Sequence, residues 1–173
     1  MIAINIPEPN EKQKLFLAAK TKHVGFGGAR GGGKSWGIRA KATLLSLNYK
    51  GIKVLIVRRT YKELWNNHIE PLKASLKGIA TYNKTDKVFT FLNGSMIIFG
   101  YCNNDGDLDQ YQGAEYDVIF LDEATQLDES WIKKITACCR GVNGFPKRIY
   151  YTCNPGGRSH GYIKRLFVDR KYE

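Results

Sequence analysis

A glycine-rich segment at residues 28–35 most constrains how this chain can fold. It reads Gly-Ala-Arg-Gly-Gly-Gly-Lys-Ser and matches the pattern G-x-x-x-x-G-K-S/T. An apolar run at residues 23–26 precedes it, and apolar residues at helical spacing follow at residues 34–47. The segment therefore predicts a strand, a tight glycine loop and a helix in direct succession.

Strand-like and helix-like segments alternate along all 173 residues. Short apolar runs rich in Val, Ile, Phe and Tyr predict strands at residues 23–26, 53–57, 88–91, 95–99, 117–121 and 148–152. Apolar residues three and four positions apart predict helices at residues 11–19, 34–47, 61–76, 129–139 and 161–168. This alternation predicts one α/β domain with a mostly parallel central sheet flanked by helices. Asn93-Gly94 lies between two β-rich runs and predicts a β-hairpin within that sheet.

The glycine loop has the chemistry of a phosphate cradle, because backbone N–H groups and the start of the next helix can surround a phosphate. Lys34 is predicted to reach the β and γ oxygens of a nucleotide, and Ser35 is predicted to ligate Mg²⁺. The alternative is a flexible glycine loop without a ligand. The predicted ATP-binding residues of the loop are Gly28, Ala29, Arg30, Gly31, Gly32, Gly33, Lys34 and Ser35.

A pair of acidic residues, Asp122 and Glu123, ends the predicted strand at residues 117–121. The carboxyl ends of parallel strands lie along one edge of a sheet, so we expect this pair beside the glycine loop. Asp122 is predicted to hold the hydrated Mg²⁺, and Glu123 to accept a proton from the water that attacks the γ-phosphate. The second carboxylate favours a hydrolytic motor over a kinase or small GTPase, although acidic residues also simply end strands.

The string Asn-Lys-Thr-Asp at residues 83–86 has the spelling with which GTPases read guanine. In GTPases that string follows the magnesium-binding strand, whereas here it precedes Asp122. The strand before Asp122 also lacks the D-x-x-G of a γ-phosphate switch. We therefore predict a polar turn that leads into the strand at residues 88–91.

Composition restricts the kinds of partner and compartment. The net charge of +11 favours a polyanion such as nucleic acid, although an acidic protein could also balance it. No apolar run approaches the roughly 18 residues of a membrane span, and the four cysteines and three histidines lack zinc-site spacing. The first 13 residues carry prolines and charges instead of an apolar stretch, so we expect no export signal and a cytoplasmic location.

With both motifs placed, the chain resembles the ATPase domain of phage large terminases, which are RecA-like (ASCE) P-loop motors. In this resemblance Gln13 stands where the family's glutamine reads adenine, and Arg30 stands where a loop arginine stabilises or senses the γ-phosphate. Thr152 and Asn154 match the motif that couples the γ-phosphate to movement. From the residues alone, the alternatives are an exposed glutamine, a surface ion pair and a polar turn before Pro155.

Two features depart from the family's pattern. Gln112 stands where many relatives carry an arginine, so a finger supplied to a neighbouring subunit would come from Arg58, Arg59 or Arg140. Arg58 and Arg59 also match a family stretch expected to contact nucleotide or a neighbour. Complete large terminases continue into an RNase H-like nuclease domain, so we expect residues 1–173 to form an ATPase domain without the nuclease centre.

The resemblance implies ATP hydrolysis in which Glu123, Arg30 and Lys34 act at the γ-phosphate, with Mg²⁺ as cofactor. The energy is expected to drive double-stranded viral DNA into a procapsid in the host cytoplasm, where the motor docks transiently. The expected partners are double-stranded DNA, a portal protein, a small terminase subunit and further copies of the chain in a ring, with no membrane. The alternatives are a helicase or other DNA-translocating ATPase, and a nucleotide-binding interaction module that does not hydrolyse ATP.

Overall fold

The computed structural model describes residues 4, 6–31 and 33–171. Seven strands of this part are β1 (His23–Gly27), β2 (Lys53–Arg58), β3 (Ala80–Asn83), β4 (Val88–Phe91), β5 (Met96–Tyr101), β6 (Val118–Leu121) and β7 (Arg148–Cys153). They form one sheet in the order β1-β7-β6-β2-β5-β4-β3. The first five strands in that order are parallel, whereas β4 and β3 pair antiparallel. The predicted mostly parallel α/β sheet is confirmed.

The helices are α1 (Glu11–Ala18), α2 (Lys34–Asn48), α3 (Tyr61–Leu64), α4 (Glu70–Ser75), α5 (Glu129–Thr136) and α6 (His160–Phe167). A π-helical turn, Trp65–Ile69, joins α3 to α4 without a break. Two short 3₁₀ helices lie at Asp105–Tyr111 and Ala124–Gln126. Within the described ranges, no helix has the length and apolar character needed to cross a membrane.

The hydrophobic core lies on both faces of the sheet, because successive side chains of a strand point to opposite faces. On β2, Val54 and Ile56 face one side while Leu55 and Val57 face the other, and all four are fully buried. The first face is covered by α1, α2 and the α3–α4 segment, and the second by α5 and α6. The sheet is therefore the middle of three layers.

The order of the strands determines which loops meet. β7 lies between β1 and β6, and in the parallel register Gly27 is opposite Cys153 while Leu121 is opposite Tyr151. The glycine loop after β1 and the acidic pair after β6 therefore lie on either side of the end of β7. This edge is where open parallel sheets bind ligands.

Both predicted turns are confirmed. β4 and β5 form the antiparallel hairpin, and Gly94 has φ of 83° in its turn beside Asn93. The Asn-Lys-Thr-Asp string connects β3 to β4, and the Asn83 side chain accepts N–H groups of Thr85 (2.9 Å) and Asp86 (3.0 Å). The string is thus a polar turn built on its own asparagine.

Three elements differ from the sequence prediction. β3 was missed because it is short, has few large apolar residues and pairs only with β4 at the outer edge of the sheet. The predicted helix at residues 61–76 is divided by the π turn. The helix predicted at residues 129–139 ends at Thr136, because the Cys138 carbonyl beyond it accepts the Tyr116 N–H (2.8 Å) instead of continuing the helix.

Packing across the central strand predicts the size of a stability change. Ile56 is fully buried in β2, so shortening it by one methylene group in Ile56→Val should lower the free energy of unfolding by about 0.5–1.5 kcal/mol. Leu92→Ala is the matched control, because Leu92 is 100% exposed and its loss should change stability by less than about 0.5 kcal/mol. Urea unfolding followed by circular dichroism measures both, and equal effects would contradict this packing.

Candidate active site

The glycine loop turns between β1 and α2 in backbone conformations that favour glycine. Gly28, Gly31 and Gly33 have φ angles of 149°, 78° and 70°. Gly33 is the N-cap of α2, and no side chain of the described part caps that helix. The N–H groups of the first turn are therefore available to an anion, at the positive end of the helix dipole. Gly32, also predicted to bind ATP, lies outside the described residues.

Lys34 and Ser35 connect this loop to the rest of the site. The buried Lys34 ammonium donates to the carbonyls of Gly28 (3.0 Å) and Ala29 (2.7 Å), so its charge lies within the curve of the loop. The Ser35 hydroxyl donates to Asp122 Oδ2 at 2.9 Å. The two sequence motifs, far apart along the chain, are therefore in direct contact.

The Asp122 carboxylate is the centre of the site and is only 1% exposed. Besides Ser35, three described residues reach it: Thr152 Oγ1 donates to Oδ1 (2.6 Å), while Arg58 Nη1 (3.1 Å) and His68 Nε2 (2.7 Å) contact Oδ2. Burial by itself opposes ionisation, but the hydrogen bond and field of His68, the charge of Arg58 and the Thr152 hydroxyl hold the pKa of Asp122 well below its ordinary value. The group is therefore a carboxylate at neutral pH.

Glu123 adopts a left-handed backbone conformation, φ 52° and ψ 53°, that is costly for a non-glycine residue. Its N–H donates to Thr152 Oγ1 at 3.1 Å. Its carboxylate accepts Asn154 Nδ2 on one oxygen and pairs with Arg58 Nη2 on the other, both at 3.1 Å. The side chain is 29% exposed, so solvent reaches a carboxylate that the protein holds at both oxygens.

Arg58 bridges the two acidic side chains, with its guanidinium buried between them. In this arrangement it serves its own site and is not available to a neighbouring subunit. The other arginines considered as fingers lie on the surface: Arg59 bonds Asn103 Oδ1 (2.9 Å), and Arg140 lies 3.9 Å from Glu115. A finger role for either of them stays a prediction.

His68 is the site residue that the sequence reading missed. It lies in the π turn, is fully buried, and its Nδ1 has no hydrogen-bond partner among the described residues. Burial lowers the pKa of His68, and although the contact with Asp122 opposes this, the nearby Arg39 and Arg58 charges lower it further. We assign a neutral imidazole that donates its Nε2–H to Asp122. A histidine on the inner side of a predicted helix carries no signal that distinguishes it from a core histidine.

Gln13 and Arg30, assigned from the resemblance, occupy different settings. Gln13 is buried: its Oε1 accepts the Asn10 N–H (2.9 Å) and its Nε2 donates to the Gly33 carbonyl (3.1 Å). The alternative of an exposed glutamine is therefore wrong, and this side chain links α1 to the phosphate loop. Arg30 is exposed on the loop, with no ion pair seen to the described part of the chain. Their roles toward adenine and the γ-phosphate stay predictions.

The donor set of the site fits Mg²⁺. The Ser35 hydroxyl and the Asp122 carboxylate are hard oxygen ligands in contact with each other. Among the described residues, no group of three or more His, Cys, Asp and Glu could hold a metal on its own. Mg²⁺ bound to nucleotide phosphates needs only one or two protein oxygens, so these two residues suffice.

Residues 20–173 match the sequence family described as "Phage terminase large subunit". The chain belongs to this family. The matched region includes the glycine loop, the acidic pair and the end of β7, which are the three parts of the site. No curated protein is significantly similar to the chain in sequence.

Solved structures of large terminases share the fold of this family member. The large terminase of a thermophilic bacteriophage superposes with a TM-score of 0.78 at 22% identity, over 94% of this chain and 43% of that one. The same phage enzyme in complex with ADP gives 0.74 at 23% identity, over 92% and 42%. An ATPase-domain mutant of the Thermus phage P74-26 large terminase gives 0.66 at 16% identity, over 92% and 70%. The chain thus spans less than half the length of the first of these enzymes.

The Thr152 hydroxyl provides a test of this network, because it bonds Asp122 and Glu123 at once. Thr152→Val keeps the side-chain shape but leaves a buried carboxylate oxygen without its donor, which should cost about 1–3 kcal/mol of unfolding free energy. Thr152→Ser should recover most of that loss. Thr90→Val, at an exposed position of β4, is the control, and equal unfolding midpoints for the two valine variants would contradict the network.

Proposed function

We propose that this domain hydrolyses ATP with Mg²⁺ and uses the energy to move double-stranded viral DNA, as the motor of a large terminase. The observation that carries the proposal is the Asp122 carboxylate, which joins Ser35 of the phosphate loop to Thr152 of β7. Family membership supports the same activity. For a relative with this fold, nucleotide binding is stated in its description, since the large terminase of the thermophilic bacteriophage was solved with ADP.

Binding of ATP is assigned to the phosphate loop. The N–H groups at the start of α2 would surround the β-phosphate, and the Lys34 ammonium would exchange the carbonyls of its own loop for phosphate oxygens. Ser35 and Asp122 would hold Mg²⁺, which neutralises charge on the β and γ oxygens when bound. Arg30, exposed on the loop, is free to turn toward the γ-phosphate, and Gln13 is the proposed adenine contact.

Hydrolysis requires a base beside the γ-phosphate, and Glu123 is the proposed base. It would accept the proton of the attacking water while the P–O bond to ADP breaks, and would later release that proton to solvent. Since both of its oxygens are engaged by Arg58 and Asn154, one of these contacts must give way to the water. Release of Glu123 is thus a natural point for control by nucleotide.

Thr152 and Asn154 are proposed to carry the state of the site to the second face of the sheet. Asn154 contacts Glu123 through its side chain, and its carbonyl accepts the Thr125 hydroxyl at 3.3 Å. Ser159, the N-cap of α6, donates its N–H to the Thr125 carbonyl at 3.1 Å. A shift of the base can therefore pass through bonded neighbours to the start of α6.

The polyanionic partner is proposed to be double-stranded DNA, bound through part of the +11 net charge. A portal protein, a small terminase subunit and further copies of this chain in a ring complete the proposed packaging assembly, docked on a procapsid in the host cytoplasm. Residues 1–173 are proposed to supply only the ATPase domain, with DNA cutting assigned to a separate nuclease domain.

The base assignment predicts a specific loss. Glu123→Gln should keep ATP binding but lower turnover by roughly 10²–10⁴-fold, because an amide cannot accept the proton of the attacking water. Phosphate release with Mg-ATP measures turnover, and equilibrium binding of a fluorescent ATP analogue measures affinity. Glu115→Gln is the control, since Glu115 lies on the surface. Normal turnover in Glu123→Gln would refute the assignment, and saturable binding without turnover in the unchanged chain would favour a nucleotide-binding interaction module.

The motor assignment predicts a response to DNA. Turnover should prefer ATP to GTP and should rise when double-stranded DNA is added. This stimulation should weaken as salt increases, because binding that neutralises phosphates releases counterions. The measurement is phosphate release against DNA concentration at several salt concentrations, with heparin as a control polyanion. Equal stimulation by heparin, or none by DNA, would contradict a DNA motor.

A further inference from the structure

His68 contacts the central carboxylate from an element outside both sequence motifs. Its Nε2 lies 2.7 Å from Asp122 Oδ2, which is the shortest of the three contacts to that oxygen among the described residues. The imidazole is fully buried and is surrounded by the protein. A contact this short to a fully buried carboxylate fixes the position of one of its oxygens.

The hydrogen-bond pattern assigns the proton. Nδ1 is buried without a partner in the described part of the chain, so a proton there would be an unsatisfied buried donor. Arg58 already supplies the positive charge next to Asp122. A neutral ring with its proton on Nε2 satisfies both conditions and makes His68 a donor to Asp122.

The π turn explains how His68 reaches this position. Residues of a π turn lie closer together around the helix axis than those of an α-helix, because its hydrogen bonds run between residues five apart. His68 and its neighbour Ile69 are both fully buried, although consecutive residues of an α-helix rarely face inward together. Ile69 packs in the core with Leu64, while His68 contacts Asp122. Such turns occur frequently at functional sites.

We propose that His68 is a positioning residue for magnesium binding: its Nε2–H holds the Asp122 carboxylate in the orientation that receives Mg²⁺ beside Ser35. This inference rests on the proposed ATPase function. Donors to a metal-binding carboxylate commonly change metal affinity or activity by roughly 10–100-fold when removed. The expected signature is therefore a change in Mg²⁺ requirement, with the fold retained.

Two amide substitutions form a matched pair. In His68→Gln the side-chain Nε2 can occupy the place of the imidazole Nε2 and still donate to Asp122. In His68→Asn the amide nitrogen corresponds to Nδ1 and is too short to reach the carboxylate. Both variants replace the ring by a polar amide, so they differ mainly in the one hydrogen bond under test.

The experiment measures Mg²⁺ dependence in two ways on each purified variant. One is the Mg²⁺ concentration that gives half-maximal binding of fluorescent ADP, which does not require turnover. The other is the Mg²⁺ concentration for half-maximal ATP hydrolysis, with kcat and KM separated. We expect His68→Asn to raise both concentrations by roughly tenfold or more, and His68→Gln to stay within a few-fold of the unchanged chain. In an Asp122→Asn background, the difference between Gln and Asn at position 68 should vanish.

Circular dichroism and thermal unfolding are measured first. An Asn variant with unchanged Mg²⁺ dependence, or a Gln variant as impaired as Asn, would overturn the positioning role. Loss of folding in both variants would also overturn it, because it would make His68 a core residue only. Failure of the proposed function has a different sign: the unchanged chain would then bind nucleotide without any Mg²⁺ dependence and would not depend on Glu123.

Discussion

The Asp122 carboxylate is the interaction on which the rest of the site depends. It receives donors from four separate elements: Ser35 from α2, Arg58 from β2, His68 from the π turn and Thr152 from β7. A buried carboxylate without such donors would be protonated or destabilising. Each donor therefore stabilises the ionised form, and the ionised form in turn holds the ends of these four elements together.

The strain at Glu123 follows from the same arrangement. β6 ends at Leu121, and within two residues the chain must direct Asp122 inward and Glu123 toward solvent. The left-handed conformation of Glu123 achieves this, and the Thr152 hydroxyl accepts its N–H while donating to Asp122. Strained backbone of this kind persists only where neighbouring bonds determine it, and it is frequent at active sites.

The sequence predicted those parts of the site whose residue order carries the chemistry. The glycine loop and the Asp122-Glu123 pair were recognisable because strand direction places both at one sheet edge. Arg58 was singled out, but its position between two carboxylates depends on the registry of β2 beside β6, which a local pattern does not contain. His68 depends on a π turn, and helical periodicity assumes a regular turn throughout. The outer strand β3 was lost for a similar reason, since its alternating pattern is short and half exposed.

The charges of the site also indicate why the loop arginine matters. Asp122 and Glu123 share the Arg58 guanidinium, and Lys34 is the other buried cation near them, while His68 is neutral. The described acidic and basic groups of the site are therefore already balanced. Mg-ATP carries net negative charge, so its arrival requires additional positive potential. The uncapped start of α2 supplies part of it, and Arg30, exposed on the same loop, is placed to supply the rest. An exposed loop arginine is thus what this electrostatic balance requires.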